Sequence, residues 1–155
     1  MSRHTIAGRV KCYQYVVDEA FAAKLFSTSG GWVLSYMLHD TAWGVTLYQK
    51  AFVAELRAWV QLFADTQRHM GHSVSDTWDI TDQSQSQPLA ETVCRALAME
   101  HHTLDIRNIT IAVWGPIYWN MLHGLSMCVY GDAKLTQQFA ARLLNLSIII
   151  PCAVC

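Results

Sequence analysis

The sequence predicts an all-α fold, and three observations support this prediction. Apolar residues recur at intervals of three and four along most of the chain, which is the spacing of one face of an α-helix. The sequence has no pair of alternating strands joined by a turn signal. Hydrophobic residues make up 52% of the 155 residues, enough for one main core and at most a small appended domain.

Residues 1–64 are predicted to form an N-terminal helical region. A first amphipathic helix has its apolar face between Val10 and Lys24, and the pair Gly30-Gly31 is expected to end it, because paired glycines favour a turn. The apolar segment from Trp32 to Leu47 is interpreted as helix on weaker signals. A further helix has an apolar stripe formed by Phe52, Leu56, Trp59 and Phe63. Its polar side carries Glu55, Arg57 and Gln61.

A polar segment then interrupts the helical pattern. Residues 65–88 are rich in Asp, Ser, Thr, Gln and His, and we predict a mobile loop or linker because such a segment buries little apolar surface. Residues 89–113 are predicted to contain a helix that begins after Pro88 and fades near His101-His102. The β-branched residues from Ile106 to Val113 favour a short extended connector.

Two helices are predicted in the last unit, residues 114–155. The first is expected to begin at Gly115-Pro116, because proline is favoured at the first helical position. The second is expected to begin after Asp132, whose side chain can accept hydrogen bonds from the free N–H groups of the first turn. Pro151 is expected to end it.

Composition excludes several classes of partner and location. The net charge is -1 and the 11 Lys and Arg residues are scattered, so no nucleic-acid partner is expected. The N-terminus lacks the apolar segment of a secretory signal, so secretion is not expected. The uncharged stretch Ile109 to Tyr130 is long enough to cross a bilayer, but Asn120, His123 and the Gly115-Pro116 break favour a buried helix instead.

The five cysteines match neither a zinc pattern nor a disulfide framework. Only Cys152 and Cys155 lie close together, as a C-x-x-C pair, and in a chain without an export signal such a pair indicates redox or metal chemistry. A helix beginning at Cys152 would lower the pKa of its thiol. A thioredoxin-like motif would follow a β-strand, whereas a predicted helix precedes this pair.

The remaining candidate residues carry weaker signals. Trp119 and His123 are four apart, so they can contact one planar ligand, although two core side chains would show the same spacing. The other cysteines are either a shuttle for electrons or simply buried apolar residues: Cys12, Cys94 and Cys128. No metal site is predicted from the nearby histidines and cysteine, because their spacing matches no known site: His69, His72, Cys94, His101 and His102.

One combination of motifs resembles a known family. The sequence WGPIYWNMLHGLS from Trp114 to Ser126, followed by PCAVC from Pro151, resembles the Erv/ALR family of FAD-linked sulfhydryl oxidases, particularly the viral members of baculovirus and nudivirus type. In that family W-G-P-x-x-W-x-x-L-H precedes P-C-x-x-C, and here Cys152 follows His123 by 152 − 123 = 29 residues, which fits. The earlier part of the chain is similar in layout to the degenerate helical domain of those viral enzymes. The resemblance therefore implies such a domain followed by the first two helices of a four-helix bundle.

The resemblance also implies an activity and a set of site residues. It implies a flavoprotein thiol oxidase that forms disulfides in thiol-containing protein substrates and passes electrons through FAD to oxygen, giving hydrogen peroxide. Cys152 would exchange with substrate thiols, and Cys155 would be the thiolate beside the flavin. The residues that match the FAD-binding positions lie at the start and middle of the predicted helix: Trp114, Gly115, Pro116, Trp119 and His123.

The resemblance further implies a homodimer or pseudo-dimer, located in the cytoplasm or nucleus of an infected host cell or in the virion. Family members continue past the C-x-x-C pair with a histidine, an asparagine and basic residues that hold the adenine and phosphates. We therefore expect residues 1–155 to be a truncated form that binds FAD poorly and turns over slowly. Two alternatives stay open: a catalytically inactive helical module that pairs with a full-length relative, and a plain helical domain in which the motifs are coincidental.

Overall fold

The computed structural model describes residues 18–39, 46–75 and 86–151 of the chain. These residues form five α-helices and two short 3-10 helices. One 3-10 helix precedes the fourth α-helix (Ile106–Asn108), and the other follows the fifth (Leu146–Ile148). The described ranges contain no β-strand, and the predicted all-α class is confirmed. The α-helices are α1 (Glu19–Met37), α2 (Thr46–His69), α3 (Ser86–Ala96), α4 (Ile111–Val129) and α5 (Ala133–Leu144).

The closest helix pair is α1 with α4, and the two helices run antiparallel. The backbone of Phe26 lies against Gly124, and one to two turns away the rings of Trp32 and Tyr118 meet edge to face with centroids 6.3 Å apart. A side-chain carbon on Gly124 would lie 2.8 Å from the backbone nitrogen of Phe26. The two helices therefore approach as closely as they do because residue 124 has no side chain.

A second antiparallel pair, α2 with α5, covers the other side of the core. The carboxylate of Glu55 binds Arg142 near the end of α5, and the Nδ1 atom of His69 lies 3.6 Å from an oxygen of Asp132 at the start of α5. The apolar stripe predicted for α2 is confirmed, because all four of its residues are buried: Phe52, Leu56, Trp59 and Phe63.

Aromatic rings join these two helix pairs in the centre of the core. Phe63 of α2 meets Phe26 of α1 edge to face, with centroids 5.1 Å apart, and meets Trp59 in the same way at 5.9 Å. Edge-to-face pairs of this kind add about 0.5 to 1.5 kcal/mol to the free energy of area burial. The core thus fixes α1 and α4 relative to α2.

The glycine pair in α1 does not end the helix, so the predicted stop was wrong. The helix continues from Glu19 to Met37, and a side-chain carbon on Gly31 would lie 1.9 Å from the carbonyl oxygen of Glu100. The backbone of the segment after α3 crosses α1 at this point, where Glu100 N–H donates to the Ser27 carbonyl at 3.3 Å. The glycines serve a close backbone crossing and not a turn.

The start of α4 also differs from the prediction. The helix begins at Ile111, after Thr110 in extended conformation, and Pro116 lies inside it. Because Pro116 is the sixth residue of the helix and has no N–H, the carbonyl of Ala112 lacks its helical partner, and α4 has one backbone hydrogen bond fewer at this point. Part of the predicted connector from Ile106 to Val113 is therefore helical, as a 3-10 turn and as the first turn of α4.

The remaining boundaries are confirmed in part. Asp132 does cap α5, since its Oδ1 accepts from the Leu135 N–H at 2.9 Å. That helix ends at Leu144, well before Pro151, and a 3-10 turn intervenes. The predicted loop 65–88 is shorter, because α2 runs to His69 and α3 begins at Ser86. Residues 10–17, 40–45 and 76–85 of the predicted elements lie outside the described residues.

Helix α4 lies within the uncharged stretch Ile109 to Tyr130, whose length alone would allow it to cross a bilayer. Within the described ranges, no helix is both long and apolar enough to cross a bilayer. Its inward side packs on α1, as expected for a helix of the core, while several residues on its outward side are exposed.

Candidate functional site

The candidate site is the outward face of α4. None of the 19 residues of this helix is Asp, Glu, Lys or Arg, so both of its faces are uncharged. The inward face is buried and includes Tyr118, Met121 and Leu125. The outward face carries aromatic and polar side chains that other described helices do not cover, chiefly Trp119 and His123.

Trp119 and His123 lie together on this face. Their ring centroids are 4.6 Å apart and the ring planes are tilted by 45°, so one turn of helix brings the two rings into contact. The indole of Trp119 is 61% exposed, and His123 is exposed as well. The prediction that the two share a face is confirmed, and the alternative that they are core side chains is wrong.

The other three predicted cofactor residues have different surroundings. Trp114 is half-buried and meets Tyr118 edge to face at 5.7 Å, so it lies on the side of the helix nearer the core. Pro116 is exposed, and a side-chain carbon on Gly115 would meet only Ile111, at 3.8 Å. The structure thus brings Trp119 and His123 together and places Trp114 on a different side of the helix.

The predicted redox pair lies just past the described residues. Cys152 and Cys155 are outside them, and Pro151 is the last residue described. The segment that leads to the pair is held against α4, because the Tyr118 hydroxyl donates to the Ile149 carbonyl at 2.7 Å. Ile149 is itself buried, and burial raises the pKa of Tyr118 well above its ordinary value, so the hydroxyl keeps its proton.

Two of the other cysteines have the environment of core residues. Cys94 and Cys128 are free and buried, and burial raises the pKa of each thiol to about 11. A hydrogen bond from or to Ser35 partly offsets this for Cys94, with the two atoms 3.8 Å apart. Both thiols stay protonated near neutral pH, which suits the apolar interpretation and not a shuttle role.

The histidines considered for a metal site are dispersed. His102 bonds through Nε2 to the Thr28 carbonyl of α1 at 3.0 Å, whereas His69 lies beside Asp132 at the start of α5. Among the described residues, no group of three or more His, Cys, Asp or Glu side chains is arranged to hold a metal ion.

Sequence reasoning missed one polar cluster. Glu55 was assigned to the polar side of α2, yet it is only 6% exposed and binds Arg142 and Asn145 at the end of α5. Its spacing contained a signal, since it lies three residues after Phe52 and four before Trp59, on the buried stripe. A charged residue at such a position indicates a buried partner elsewhere in the chain.

Comparison with known proteins adds no relative. No protein-family model, no curated protein and no solved structure matches this chain. The resemblance to the Erv/ALR oxidases consequently rests on the residues of the motif and on their spacing.

Proposed function

We propose that this chain belongs to an FAD-dependent sulfhydryl oxidase, which forms disulfides in protein substrates with oxygen as acceptor and gives hydrogen peroxide. The observation that carries the proposal is the exposed Trp119–His123 pair on an uncharged helix face. No described helix covers the two rings, so their faces are available to a ligand or partner. A flat, largely apolar ring system is the kind of ligand that such a pair binds by stacking.

Trp119 and His123 are suited to form one edge of a flavin-binding site. The Trp119 indole and the His123 imidazole offer two ring faces, and no charge of α4 lies on that face to disfavour an apolar ring. Trp114 would contribute from the side nearer the core, next to Tyr118. When bound, FAD would accept two electrons from a dithiol and deliver them to oxygen.

The position of the cysteine pair in the chain supports the same function. Cys152 comes three residues after Ile149, a stretch that can span at most about 10 Å, and Ile149 is bonded to α4 through Tyr118. The dithiol is therefore tethered to the helix that carries the aromatic pair. Cys94 and Cys128 are buried with raised pKa values, so neither of the two cysteines that the structure describes is suited to thiol exchange.

The chain's own chemistry is a disulfide exchange. A substrate thiolate attacks the Cys152 sulfur of the Cys152–Cys155 disulfide, a mixed disulfide forms, and Cys155 leaves as a thiolate. A second substrate thiolate then attacks the mixed disulfide at the substrate sulfur and releases Cys152. The substrate gains one disulfide and loses two electrons, and the pair is reduced by the same two electrons.

Titration with FAD, carried to concentrations that suit the weak binding expected of residues 1–155, tests the proposed site. We expect Trp119→Ala to weaken FAD binding by about tenfold, the effect of losing one well-placed stacking contact. Phe21→Ala is the matched control, because Phe21 is also an exposed aromatic residue, at 54%, but lies on α1. Quenching of flavin fluorescence measures both affinities, and equal affinities for the two variants would contradict the assignment.

The proposed chemistry has a separate test. Cys152→Ser should abolish oxygen uptake with reduced dithiothreitol while leaving FAD affinity close to that of the wild type. Cys94→Ala serves as the control, since a buried thiol outside the pair should be dispensable for exchange. Full oxygen uptake by the Cys152 variant would rule out the assigned role of the pair.

A second candidate function is a helical interaction module that pairs with a full-length relative. The observation that favours it is a set of large apolar side chains exposed at the ends of α4 and on α5, including Leu144 at 86%. Such side chains gain free energy when a partner covers them. If the chain binds no FAD but forms a stable complex with an active oxidase, and Leu144→Glu abolishes that complex, this second function is favoured.

A further inference from the structure

Two buried polar atoms on α2 have no hydrogen-bond partner among the described residues. They are Oε2 of Glu55 and the indole Nε1 of Trp59, and in the described part of the chain only one further side-chain atom, on His101, shares this condition. Buried polar groups in folded proteins are almost always hydrogen-bonded, because an unpaired group keeps the full cost of leaving water. Two such atoms on residues one helical turn apart point to a ligand that they share.

Both side chains lie on the same side of α2. Residues four apart on a helix are neighbours, with their β-carbons about 5 to 6 Å apart. A long side chain on a helix leans toward the helix N-terminus, which for Trp59 is the direction of Glu55. The Glu55 side chain is more than nine-tenths buried and Trp59 is completely buried. We therefore expect both unpaired atoms in one region of the core, beside the end of α5 that Glu55 contacts.

The two atoms are complementary in kind, yet no hydrogen bond joins them. The carboxylate oxygen can only accept a hydrogen bond, and the indole N–H can only donate one. A water molecule between them would accept from the indole and donate to the carboxylate. It would span two hydrogen bonds of about 2.8 to 3.0 Å each, a reach that suits side chains one turn apart.

The groups around these atoms favour a small neutral ligand. The guanidinium of Arg142 donates to Oε1 of the same carboxylate, so a metal cation would face a positive charge and an anion would face Glu55. Protonation of Oε2 pairs neither atom, because two donors would then face each other. Arg142 also has further N–H groups, which can supply the third partner that buried waters typically have.

We propose that α2 and the end of α5 enclose a binding site for one buried water molecule, which donates to Glu55 Oε2 and accepts from Trp59 Nε1–H. The water completes the hydrogen bonding of a carboxylate whose other oxygen already binds Arg142 and Asn145. The contact between α2 and α5 thus includes a solvent molecule as a structural component. Neither the flavin nor the dithiol of the proposed oxidase enters this inference.

Nuclear magnetic resonance of the wild-type protein without FAD tests the site directly. We expect the Trp59 indole proton to exchange slowly and to show cross-relaxation with water. The NOE and ROE should have opposite signs, as for a water molecule that tumbles with the protein. No variant has to fold for this measurement. An indole proton that is protected from exchange but shows no contact with water would overturn the proposal.

A count of buried waters provides the second test, by relaxation dispersion of the solvent oxygen nucleus, which proton exchange through Arg142 does not affect. The double variant Glu55→Met/Arg142→Met replaces the buried ion pair with apolar side chains, a change that folds commonly tolerate. We expect the dispersion amplitude to fall by the equivalent of about one water molecule, because the site loses two of its three partners.

The matched control is the double variant Glu91→Met/Arg95→Met, which removes an exposed ion pair of α3 with a 2.9 Å contact. Its dispersion amplitude should equal that of the wild type. A wild-type amplitude in Glu55→Met/Arg142→Met would overturn the buried water site, and so would an equal loss in the control. Absence of FAD binding or of thiol oxidation would count against the proposed function only, since both water measurements use the protein without flavin.

Discussion

Both faces of α4 lack charged residues, but one face is buried and the other is exposed. On the inward face, Tyr118, Gly124 and Cys128 are buried against the rest of the core. On the outward face, Trp119 and His123 contact each other and remain open to solvent. Apolar sequence alone therefore does not decide which side of this helix is buried. What decides it is where a neighbouring backbone can come close, and Gly124 determines that place.

The substitution with the largest expected effect on stability is Gly124→Ala on the inward face. The added carbon would lie 2.8 Å from the nitrogen and 3.0 Å from the Cα of Phe26, both backbone atoms that cannot swing away. Helices α1 and α4 must therefore separate. We expect the free energy of unfolding to fall by about 3 kcal/mol, as for strong overpacking, measured by urea denaturation.

Gly115→Ala is the matched control for that substitution, in the same helix but away from any backbone. The new carbon would meet only a side-chain atom of Ile111 at 3.8 Å. Alanine favours helix over glycine, but a Cβ on the residue before Pro116 disfavours helical conformation, so we expect a net change of less than about 1 kcal/mol. Equal effects of the two substitutions would show that close approach does not limit the inward face.

Alkaline pH is expected to cause the next largest loss of stability, through Cys128 on the inward face. Burial raises the pKa of Cys128 from 9.0 to about 11, so between these values the unfolded chain loses a proton that the folded chain keeps. This contribution to stability is complete below pH 9 and is lost as pH rises toward 11, by about 2 kcal/mol. Urea denaturation from pH 8 to 11 should show a shallower decline for Cys128→Ala than for the wild type. A decline of identical slope in both proteins would contradict the assignment.

A smaller loss of stability is expected when the Tyr118 hydroxyl, which joins α4 to the segment before the cysteine pair, is removed. Tyr118→Phe leaves the Ile149 carbonyl without its donor in a buried place. The expected loss is about 1 to 2 kcal/mol in the free energy of unfolding, measured by urea denaturation. Tyr130→Phe, on an exposed residue that follows α4, is the control and should change stability by less than about 0.5 kcal/mol. Equal stability of Tyr118→Phe and wild type would show that this bond contributes little.

The smallest effect on stability is expected on the outward face. Trp119→Ala removes a 61% exposed indole, and thermal or urea denaturation should show a change within about 0.5 kcal/mol. The same variant should nevertheless lose most of its affinity for FAD. A large loss of stability instead would mean that the indole is covered and contributes to the fold, which would undermine the contrast between the two faces.

Much of the fold was predictable because it depends on local patterns. The apolar spacing of α2 and the cap at Asp132 are encoded within a few residues, and both predictions are confirmed. The Gly30-Gly31 pair misled the prediction, because a glycine that ends a helix and a glycine that admits a crossing backbone look the same in one sequence. The deciding atom, the carbonyl of Glu100, is distant in the chain.

The candidate site was predictable to a similar extent and for the same reason. The pairing of Trp119 with His123 follows from their spacing and is confirmed. The position of Trp114 beside Tyr118, and the burial of Glu55, depend on how separate helices pack. Glu55 and Asn145 are 90 residues apart, and no local pattern reports such a contact. The roles of Cys152 and Cys155 stay predictions.

The pairing of α1 with α4 has a consequence for how the chain is made. Phe26 and Gly124 are separated by roughly 100 residues, which a ribosome adds in about 5 to 20 s. Until α4 emerges, α1 lacks the helix against which it packs most closely, although a helix itself forms in about a microsecond. We therefore expect the nascent chain to be held by a chaperone through most of its synthesis and to reach its native packing only after residue 129 has left the ribosome.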